Sequence, residues 1–466
     1  MHVFFMESLF ENKREIARAI GFKYSTITRI VYAIRVDNCY EQFEVQKKNG
    51  GVRRIAAPKG QLKTALKRLS KIFLDRRYKD KKERFQDNYP SHGFERDRSI
   101  FSNALRHINK KIVVNMDIED FFGSIHFGRV VGLFENNYSF RCPRDVAVFL
   151  ANLVTYKGVL PQGAPTSPVI ANYFGDIIDS KILKIARKYK LYYTRYADDL
   201  TFSTNDLSFM EIADHFIDDI RVELERLGFK SNNKKTRIAY YHTKQQVTGL
   251  TVNQNISCDV DYYKKTRAMA HQLYKFGQFQ INNVPGSLEQ LEGRLWFIEH
   301  SLSQRVMSKK SKYNGKKKTE CLRGEYYNNR LQEIRKFLFY KYFYMASLPV
   351  IATEGPSDQS YLIAALQKYH ERYPSLVSKS NEGDLSFNFK FLNRTQRLQK
   401  YLGIAKDGGD SLKKIVNIFT DRIMRPDFGD NGRGMYNYFV DKGYIGSNQP
   451  ILLLVDSEFE SSSSPV

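Results

Sequence analysis

The sequence has few cysteines, which stabilise small secreted domains through disulfides, and no apolar run long enough to span a membrane. Its 466 residues include four cysteines and one tryptophan, and no two cysteines form a CxxC pair. Cys39, Cys142, Cys258 and Cys321 lie far apart, which argues against a disulfide scaffold or a zinc ribbon and fits a reducing cytoplasm. No apolar run approaches the roughly 18 residues of a membrane span. The short apolar N-terminal stretch is followed at once by acidic residues, so we expect no secretory signal and a cytoplasmic protein.

Acidic residues are too few to balance the basic ones. The chain has 50 Asp and Glu against 74 Lys and Arg, a net charge of +24. Residues 348–466 hold 14 of each sign, so the whole surplus falls in residues 1–347. Such a surplus destabilises a compact fold unless a polyanion relieves it, and nucleic-acid phosphates are the natural partner. We expect residues 1–347 to bind nucleic acid, the alternative being a merely soluble cationic surface.

Hydrophobic periodicity divides the chain into four predicted parts. The first is a short amphipathic helical segment; the second begins with a hairpin at Asn49-Gly50-Gly51 and alternates strands with helices. The third is mostly helical, broken by a lysine-rich stretch that is either a solvated or a phosphate-contacting loop. The fourth starts with a new buried strand and a Gly-Pro turn. The four parts are residues 1–44, 45–255, 256–347 and 348–466.

Three carboxylates stand at the ends of strand-like runs. Asp117 follows the apolar run 112–116, and Asp198 and Asp199 lie in YADDL between two further strand-like runs. A carboxylate at the end of a buried strand is costly unless it is paired or binds a metal. Neighbouring strand residues face opposite ways, so an adjacent pair at one site predicts a tight hairpin. The pattern suits a pair of magnesium ions.

Several motifs together resemble a known family. Asp117 with Phe121 and Phe122, PQGAPTSP (161–168) and YADD (196–199) stand in the order and spacing of the reverse transcriptase palm. NALRH (103–107), VTG (247–249) and the opening GGVRRIAAPKGQLK resemble the bacterial retron reverse transcriptases. No maturase-like extension or HNH nuclease pattern is present, which disfavours an intron enzyme. The resemblance implies an α+β, right-hand-like fold with fingers, palm and a mostly helical thumb.

The resemblance also implies roles for individual residues. The catalytic residues and metal ligands would be Asp117, Asp198 and Asp199. Phe122 would be an aromatic gate that excludes ribonucleotides by crowding the 2′-hydroxyl, or else a core residue. Nucleotide contacts would come from Arg54, Lys48 or its neighbour Lys47, Gln162, Gly163 and Lys235, with a plain surface charge as the alternative for Arg54. RNA contacts would come from Asn103, His107, Val247, Thr248 and Gly249. The alternatives are capping or core-polar roles for Asn103 and His107, and a simple turn for Thr248 and Gly249.

Residues 348–466 resemble a second family. VIATEGPSDQSYLIAAL looks like the opening of a Toprim domain, where a strand ends in a catalytic glutamate, here Glu354, with Asp358 nearby. ILLLVDSEFE supplies Asp456 and Glu458 where that family has Asp-x-Asp. Together Glu354, Asp456 and Glu458 would bind magnesium. The departures from the family pattern predict an incomplete α/β Toprim-like domain, the alternative being an ordinary accessory domain.

These resemblances imply an RNA-directed DNA polymerase of a retron. It would copy a structured noncoding RNA into RNA-linked single-stranded DNA (msDNA), primed by a guanosine 2′-hydroxyl, from deoxynucleoside triphosphates with Mg²⁺. The Toprim-like part would be an effector in anti-phage defence. We expect no membrane partner, and self-association is left open. The alternatives are another bacterial reverse transcriptase, of the abortive-infection or intron-derived kind, and a nucleic-acid-binding scaffold with an inactive nuclease domain.

Overall fold

The computed structural model describes residues 8–46, 50–85, 89–310, 329–380, 383–406, 408–420 and 434–455. The chain divides into two compact units, Met1–Ser257 and Cys258–Val466, which are described separately. Within the described ranges no helix is long and apolar enough to cross a membrane.

The first unit combines eight α-helices with nine strands in its described residues. The helices are α1 Lys13–Ala19, α2 Tyr24–Thr28, α3 Gly60–Phe85, α4 Ile100–Ala104, α5 Phe127–Asn136, α6 Arg144–Val154, α7 Ser167–Lys188 and α8 Phe209–Arg226. A π-helical turn, Arg29–Arg35, continues α2. The strands are β1 Tyr40–Gln46, β2 Val52–Pro58, β3 Ile112–Glu119, β4 Tyr192–Tyr196, β5 Asp199–Thr204, β6 Lys230–Ser231, β7 Arg237–Tyr240, β8 Gln246–Val247 and β9 Leu250–Thr251.

A five-stranded antiparallel sheet forms the centre of this unit. Its strand order is β4-β5-β3-β6, and β7 also pairs with β3. The apolar run at the start of β3 is buried at successive positions because helices and neighbouring strands cover this central strand. The predicted strand at 112–116 is confirmed as β3, and the predicted alternation of strands with helices is confirmed by α7 and α8.

The predicted hairpin before the sheet is confirmed as β1 and β2. The two strands pair antiparallel from Tyr40 with Pro58 to Gln46 with Val52. Gly50 and Gly51 both have φ of 81°, a left-handed conformation that glycine adopts without strain. Most of the hairpin is exposed, including Phe43 and Val45, so it projects from the core of the first unit.

The second unit surrounds a three-stranded parallel sheet. Its helices are α9 Val260–Phe276, α10 Leu288–Lys310, α11 Asn329–Phe339, α12 Pro356–Lys368, α13 Gln396–Leu402, α14 Gly409–Phe419 and α15 Met435–Asp441, and a π-helical turn, Tyr340–Tyr344, extends α11. Its strands are β10 Gln280–Ile281, β11 Val284–Pro285, β12 Val350–Thr353, β13 Val377–Lys379, β14 Leu385–Phe387, β15 Lys390–Phe391 and β16 Ile451–Leu454. The sheet has the order β15-β12-β16.

The prediction that the third part, residues 256–347, is mostly helical missed one hairpin. Strands β10 and β11 flank Asn282 and Asn283, whose φ values of 52° and 65° define a two-residue turn. Asparagine tolerates this conformation, so the pair between Ile281 and Val284 was a readable turn signal.

Elements on both sides of residue 348 share one apolar core in the second unit. Phe339 of α11 lies 5.4 Å from Phe439 of α15 and 5.5 Å from Phe419 of α14, measured between ring centroids. Tyr274 of α9 lies 5.1 Å from the same Phe439 ring. The boundary that the sequence predicts near residue 348 therefore lies inside this unit, and the helices before it are buried against elements after it.

Candidate active site

The sheet of the first unit brings the three predicted carboxylates together. Strands β3 and β5 pair antiparallel so that Asp117 faces Asp199, and the backbone N–H of Ile118 donates to the carbonyl oxygen of Asp198 at 3.0 Å. Ala197, with φ of 56°, turns the chain between β4 and β5. The tight hairpin predicted from the adjacent aspartates is confirmed, and it holds both beside the end of β3.

Negative charge accumulates at this point of the sheet. Burial, followed by the charge of Asp117, raises the pKa of Asp198 above its usual range. Burial, followed by the charges of Asp198 and Asp117, raises the pKa of Asp199 to about 7. Carboxylates that resist ionisation for these reasons are stabilised by a cation placed among them.

Lys235 supplies one such positive charge. Its Nζ donates to Oδ2 of Asp117 at 2.7 Å, and although burial works against the ammonium, this hydrogen bond raises the pKa of Lys235. In the described part of the chain no three His, Cys, Asp or Glu side chains are already gathered as a metal centre. The donor chemistry still fits Mg²⁺, because Asp117, Asp198 and Asp199 offer the carboxylate oxygens that this ion prefers and the ammonium of Lys235 marks a cation position at Asp117.

A buried arginine, which the sequence reading missed, supports the turn that carries two of the aspartates. Arg195 is fully buried and makes two hydrogen bonds to the carboxylate of Asp179, at 2.9 and 3.0 Å. Its third nitrogen donates to the carbonyl oxygen of Ala197 and to Oδ1 of Asn172, both at 3.1 Å. A Cβ on Gly175 of α7 would lie 2.2 Å from this guanidinium, so only glycine lets the helix pass so close.

The two arginines of β2 differ in their surroundings. Arg54 points to the exposed face of the hairpin, where its Nε donates to Oε1 of Glu44 at 3.3 Å. Arg53 precedes Arg54 on the strand, and the charge of Arg53 opposes the rise in the pKa of Asp198. Successive strand residues face opposite ways, so a single sequence could not tell which of the two faces the site. Lys47 and Lys48 lie outside the described residues.

The predicted nucleotide contacts Gln162 and Gly163 lie in a turn docked on β2. The carbonyl oxygen of Gln162 accepts from the N–H of Ala56 at 2.8 Å. Gly163 has φ of 128°, and a Cβ there would lie 2.6 Å from the carbonyl oxygen of Ala56, so glycine is required. Phe122 is half-buried beside Phe121, with ring centroids 5.9 Å apart. Part of its ring packs on the core and part remains accessible.

The NALRH and VTG motifs lie against each other. Thr248 and Gly249, with φ of 47° and 80°, form the turn between β8 and β9, and Thr248 Oγ1 donates to the carbonyl oxygen of Ile100 at the start of α4. Val247 and Asn103 are fully buried, and within the described ranges neither the side-chain Nδ2 nor the Oδ1 of Asn103 has a hydrogen-bond partner. Thr248 and Gly249 therefore form a turn, as the alternative interpretation predicts. RNA contact by these residues stays a prediction.

His107, at the end of NALRH, is buried under the sheet. Its Nδ1 lies 2.7 Å from Ser203 Oγ on β5, and its Nε2 lies 2.7 Å from Thr194 Oγ1 on β4. Burial first, and then the charges of nearby groups that include Lys110 and Arg106, lower the pKa of His107 to about 3. The imidazole therefore bridges the two strands of the YADD hairpin, and contact with RNA stays a prediction.

The neutral state of His107 should make stability fall in acid. Unfolded histidine takes up a proton near pH 6.5, whereas His107 and His92 in the folded chain, each with a pKa of about 3, do not. Between pH 6.5 and pH 3 the unfolded state binds more protons at these histidines than the folded state does. The free energy of unfolding should therefore drop by about 1.4 kcal/mol per pH unit per histidine as pH falls from 6.5. Denaturant unfolding of His107→Gln and of His92→Gln between pH 7 and 4.5 should show a shallower dependence for each. A slope equal to that of the parent chain would contradict the buried neutral state.

Glu354, predicted from the second resemblance, lies directly after β12 in the second unit. Its carbonyl oxygen accepts from the N–H of Gly408 at 3.1 Å and from Arg394 at 3.2 Å. Asp358 accepts from the N–H of Gly355 at 2.7 Å and so caps α12. Asp456 and Glu458 lie outside the described residues.

Comparison with known proteins gives a consistent family for the first unit. Residues 45–253 match the reverse transcriptase (RNA-dependent DNA polymerase) family. The chain is 30% identical over 315 residues to the retron Mx65 reverse transcriptase of Myxococcus xanthus, covering 62% of this chain and 68% of that protein. It is 31% identical over 280 residues to the retron Ec86 reverse transcriptase of Escherichia coli, covering 59% of this chain and 82% of that protein.

Among solved structures, telomerase from Candida albicans in complex with a TWJ fragment of telomeric RNA is similar at 12% identity with a TM-score of 0.38. That match covers 65% of this chain and 64% of the telomerase chain.

Proposed function

The chain belongs to the retron reverse transcriptase family and is an RNA-directed DNA polymerase, and on this premise we propose that it copies a structured noncoding RNA into single-stranded DNA that stays linked to the RNA. The observation that carries the proposal is the meeting of Asp117, Asp198 and Asp199 at the end of β3. The two relatives, each about 30% identical, are retron enzymes by name.

The three aspartates are the groups that would hold Mg²⁺ in this site. The chemistry supplied by Mg²⁺ when bound is activation of the attacking hydroxyl and neutralisation of the leaving pyrophosphate. Lys235, with more than half of its side chain exposed, and Arg53 provide positive charge beside the carboxylates for the triphosphate of a deoxynucleotide. In this proposal Arg53 takes the role that the sequence reading gave to Arg54, whose partner is Glu44.

The charge distribution supports nucleic acid as the partner of residues 1–347. All of the +24 falls in that part of the chain. Lys and Arg side chains that neutralise phosphates release counterions, so binding of the noncoding RNA should weaken steeply as salt rises.

A direct test is to express the gene with its upstream flanking DNA and examine total nucleic acid on a denaturing gel. The proposal predicts a short DNA that shifts after ribonuclease treatment and shifts again after debranching. DNA that is present but unaffected by both treatments would refute the RNA-linked product while leaving the polymerase assignment intact.

Phe122 should select deoxynucleotides by size. The accessible part of its ring stands five residues after Asp117, at the position where the family has its gate. Phe122→Ala should raise incorporation of ribonucleotides relative to deoxynucleotides, on the order of tenfold or more, because steric discrimination disappears with the ring. Phe122→Tyr keeps the bulk and is the matched control. Single-nucleotide extension assays measure the ratio, and an unchanged ratio for Phe122→Ala would assign the ring to packing alone.

We further propose that residues 348–466 form a Toprim-like effector in defence against phage. Support comes from the parallel sheet, in which β12 leads into Glu354 and the helix α12. Thr353 pairs with Leu454, so the chain leaves β16 beside the end of β12. Glu354→Gln should remove protection against phage while DNA synthesis continues, and Glu371→Gln, an exposed glutamate after α12, is the matched control. Plaque counts that stay as low as for the parent chain would exclude Glu354 from the effector site.

A further inference from the structure

The second unit contains an aromatic cavity that the polymerase reaction does not use. Its volume is about 490 Å³, within the range of small-molecule sites. It opens where the chain enters β16, whereas Glu354 follows the opposite end of the neighbouring parallel strand β12. Its walls carry the rings of Phe343, Tyr344, Phe419 and Tyr436.

The aromatic walls are held by contacts with one another and with the loop before β16. Phe419 and Tyr436 lie 5.5 Å apart between centroids, and Tyr344 lies 6.0 Å from Tyr436. The hydroxyl of Tyr344 donates to the carbonyl oxygen of Tyr444 at 2.9 Å, and its own carbonyl accepts from the N–H of Ser447 at 3.0 Å. A Cβ on Gly446 would lie 2.9 Å from the Tyr344 ring, so the loop lies directly against that ring. The walls therefore need little rearrangement to receive a flat ligand.

One edge of the cavity offers hydrogen-bonding groups that the protein leaves unused. Asn448 and Gln449 line it, and neither carboxamide makes a hydrogen bond within the described part of the chain. Thr420 Oγ1 also lines it and is buried without a hydrogen-bond partner among the residues that the structure describes. A buried hydroxyl without a partner destabilises the folded chain, so a ligand that supplies the partner gains affinity.

We propose that this cavity binds a nucleobase, with adenine preferred. Aromatic side chains stack on the flat face of a base, and this stacking accepts any base. A carboxamide pairs one donor and one acceptor with the edge of adenine, which supplies the preference. No lining residue in the described ranges is charged, so these residues recognise the base and not its phosphate. The base belongs either to a free nucleotide or to an unpaired position of a DNA or RNA strand.

The test uses the full-length chain and calorimetric titration with three probes. The probes are deoxyadenosine, a short oligodeoxyadenylate, and an abasic oligonucleotide of the same length. Asn448→Gly combined with Gln449→Ala removes both carboxamides, and glycine keeps the left-handed backbone of residue 448, where φ is 53°. Gln367→Ala, an exposed carboxamide on α12, is the matched control. DNA synthesis by both variants should equal that of the parent chain.

The expected result is adenine binding that the double variant weakens about tenfold or more and that Gln367→Ala leaves unchanged. Binding of deoxyadenosine would assign the site to free nucleotides. If deoxyadenosine does not bind and oligodeoxyadenylate binds more tightly than the abasic oligonucleotide, the site takes a base that belongs to a strand. Thr420→Val, which removes only the buried hydroxyl, provides a second variant if the double variant unfolds at a lower temperature. Absence of binding, or binding that neither set of changes weakens, would overturn the proposal.

Discussion

Replacing Asp198 by asparagine should abolish DNA synthesis while leaving the fold and RNA binding intact. Charge stabilisation by a bound metal is worth several kcal/mol, so loss of one ligand charge should slow synthesis on the order of a thousandfold or more. The fold should not suffer, because burial and the charge of Asp117 already raise the pKa of Asp198, which means that its ionised form destabilises the folded chain. Asparagine has nearly the same shape and no charge.

Primer extension, filter binding to RNA and thermal unfolding measure the three expectations. The matched control is Asp206→Asn, the same chemical change just beyond β5. Asp206 is exposed and accepts a hydrogen bond from the Ser208 hydroxyl. That control should extend primers at the parent rate. Normal DNA yield from Asp198→Asn would remove the hairpin aspartate from the catalytic centre.

Replacing Arg195 by methionine should produce the largest loss of stability in the first unit. The change removes two of the hydrogen bonds to the buried carboxylate of Asp179, which keeps the donation from the Tyr193 hydroxyl, and it removes the Arg195 donor from the Ala197 carbonyl. Removing one partner of a buried ion pair typically costs about 3–5 kcal/mol. DNA synthesis should fall as well, because Ala197 begins the turn that places Asp198 and Asp199.

The comparison that isolates burial is Arg144→Met. Arg144 and Glu135 form an equally short pair, 2.8 Å, but the arginine side chain is mostly exposed. Exposed pairs contribute about 0–1 kcal/mol, so urea unfolding of this variant should stay near that of the parent chain. Pairing Arg195→Met with Asp179→Leu removes both buried charges and should recover part of the loss. Equal stability of Arg195→Met and Arg144→Met would show that the buried network is dispensable.

The carboxylate site was largely predictable because each part has a local sequence signal. Asp117 ends a run of apolar residues, and adjacent aspartates between two strand-like runs can serve one site only in a hairpin. The hairpin of β1 and β2 was readable for the same reason, from glycines at its turn. The sequence could not decide between Arg53 and Arg54, since that depends on which face of β2 meets a strand far away in the chain.

Residues whose partners are distant in sequence were harder to interpret. His107 bonds to Thr194 and Ser203, and nothing near His107 in the sequence indicates either hydroxyl. Arg195 bonds to Asp179 of α7, and nothing near Arg195 in the sequence indicates that partner. The aromatic cavity combines α14, α15 and the loop before β16, so it could emerge only from tertiary packing.

The pairing of β12 with β16 also sets an order of events on the ribosome. Val350 pairs with Ile451, so about a hundred further residues must be translated after β12 before its partner strand β16 exists. The first unit is complete at Ser257, and at roughly 5–20 residues per second the stretch from there to Leu454 takes on the order of 10–40 s to synthesise. During that interval the carboxylate site can already be folded on a nascent chain whose second sheet is unfinished.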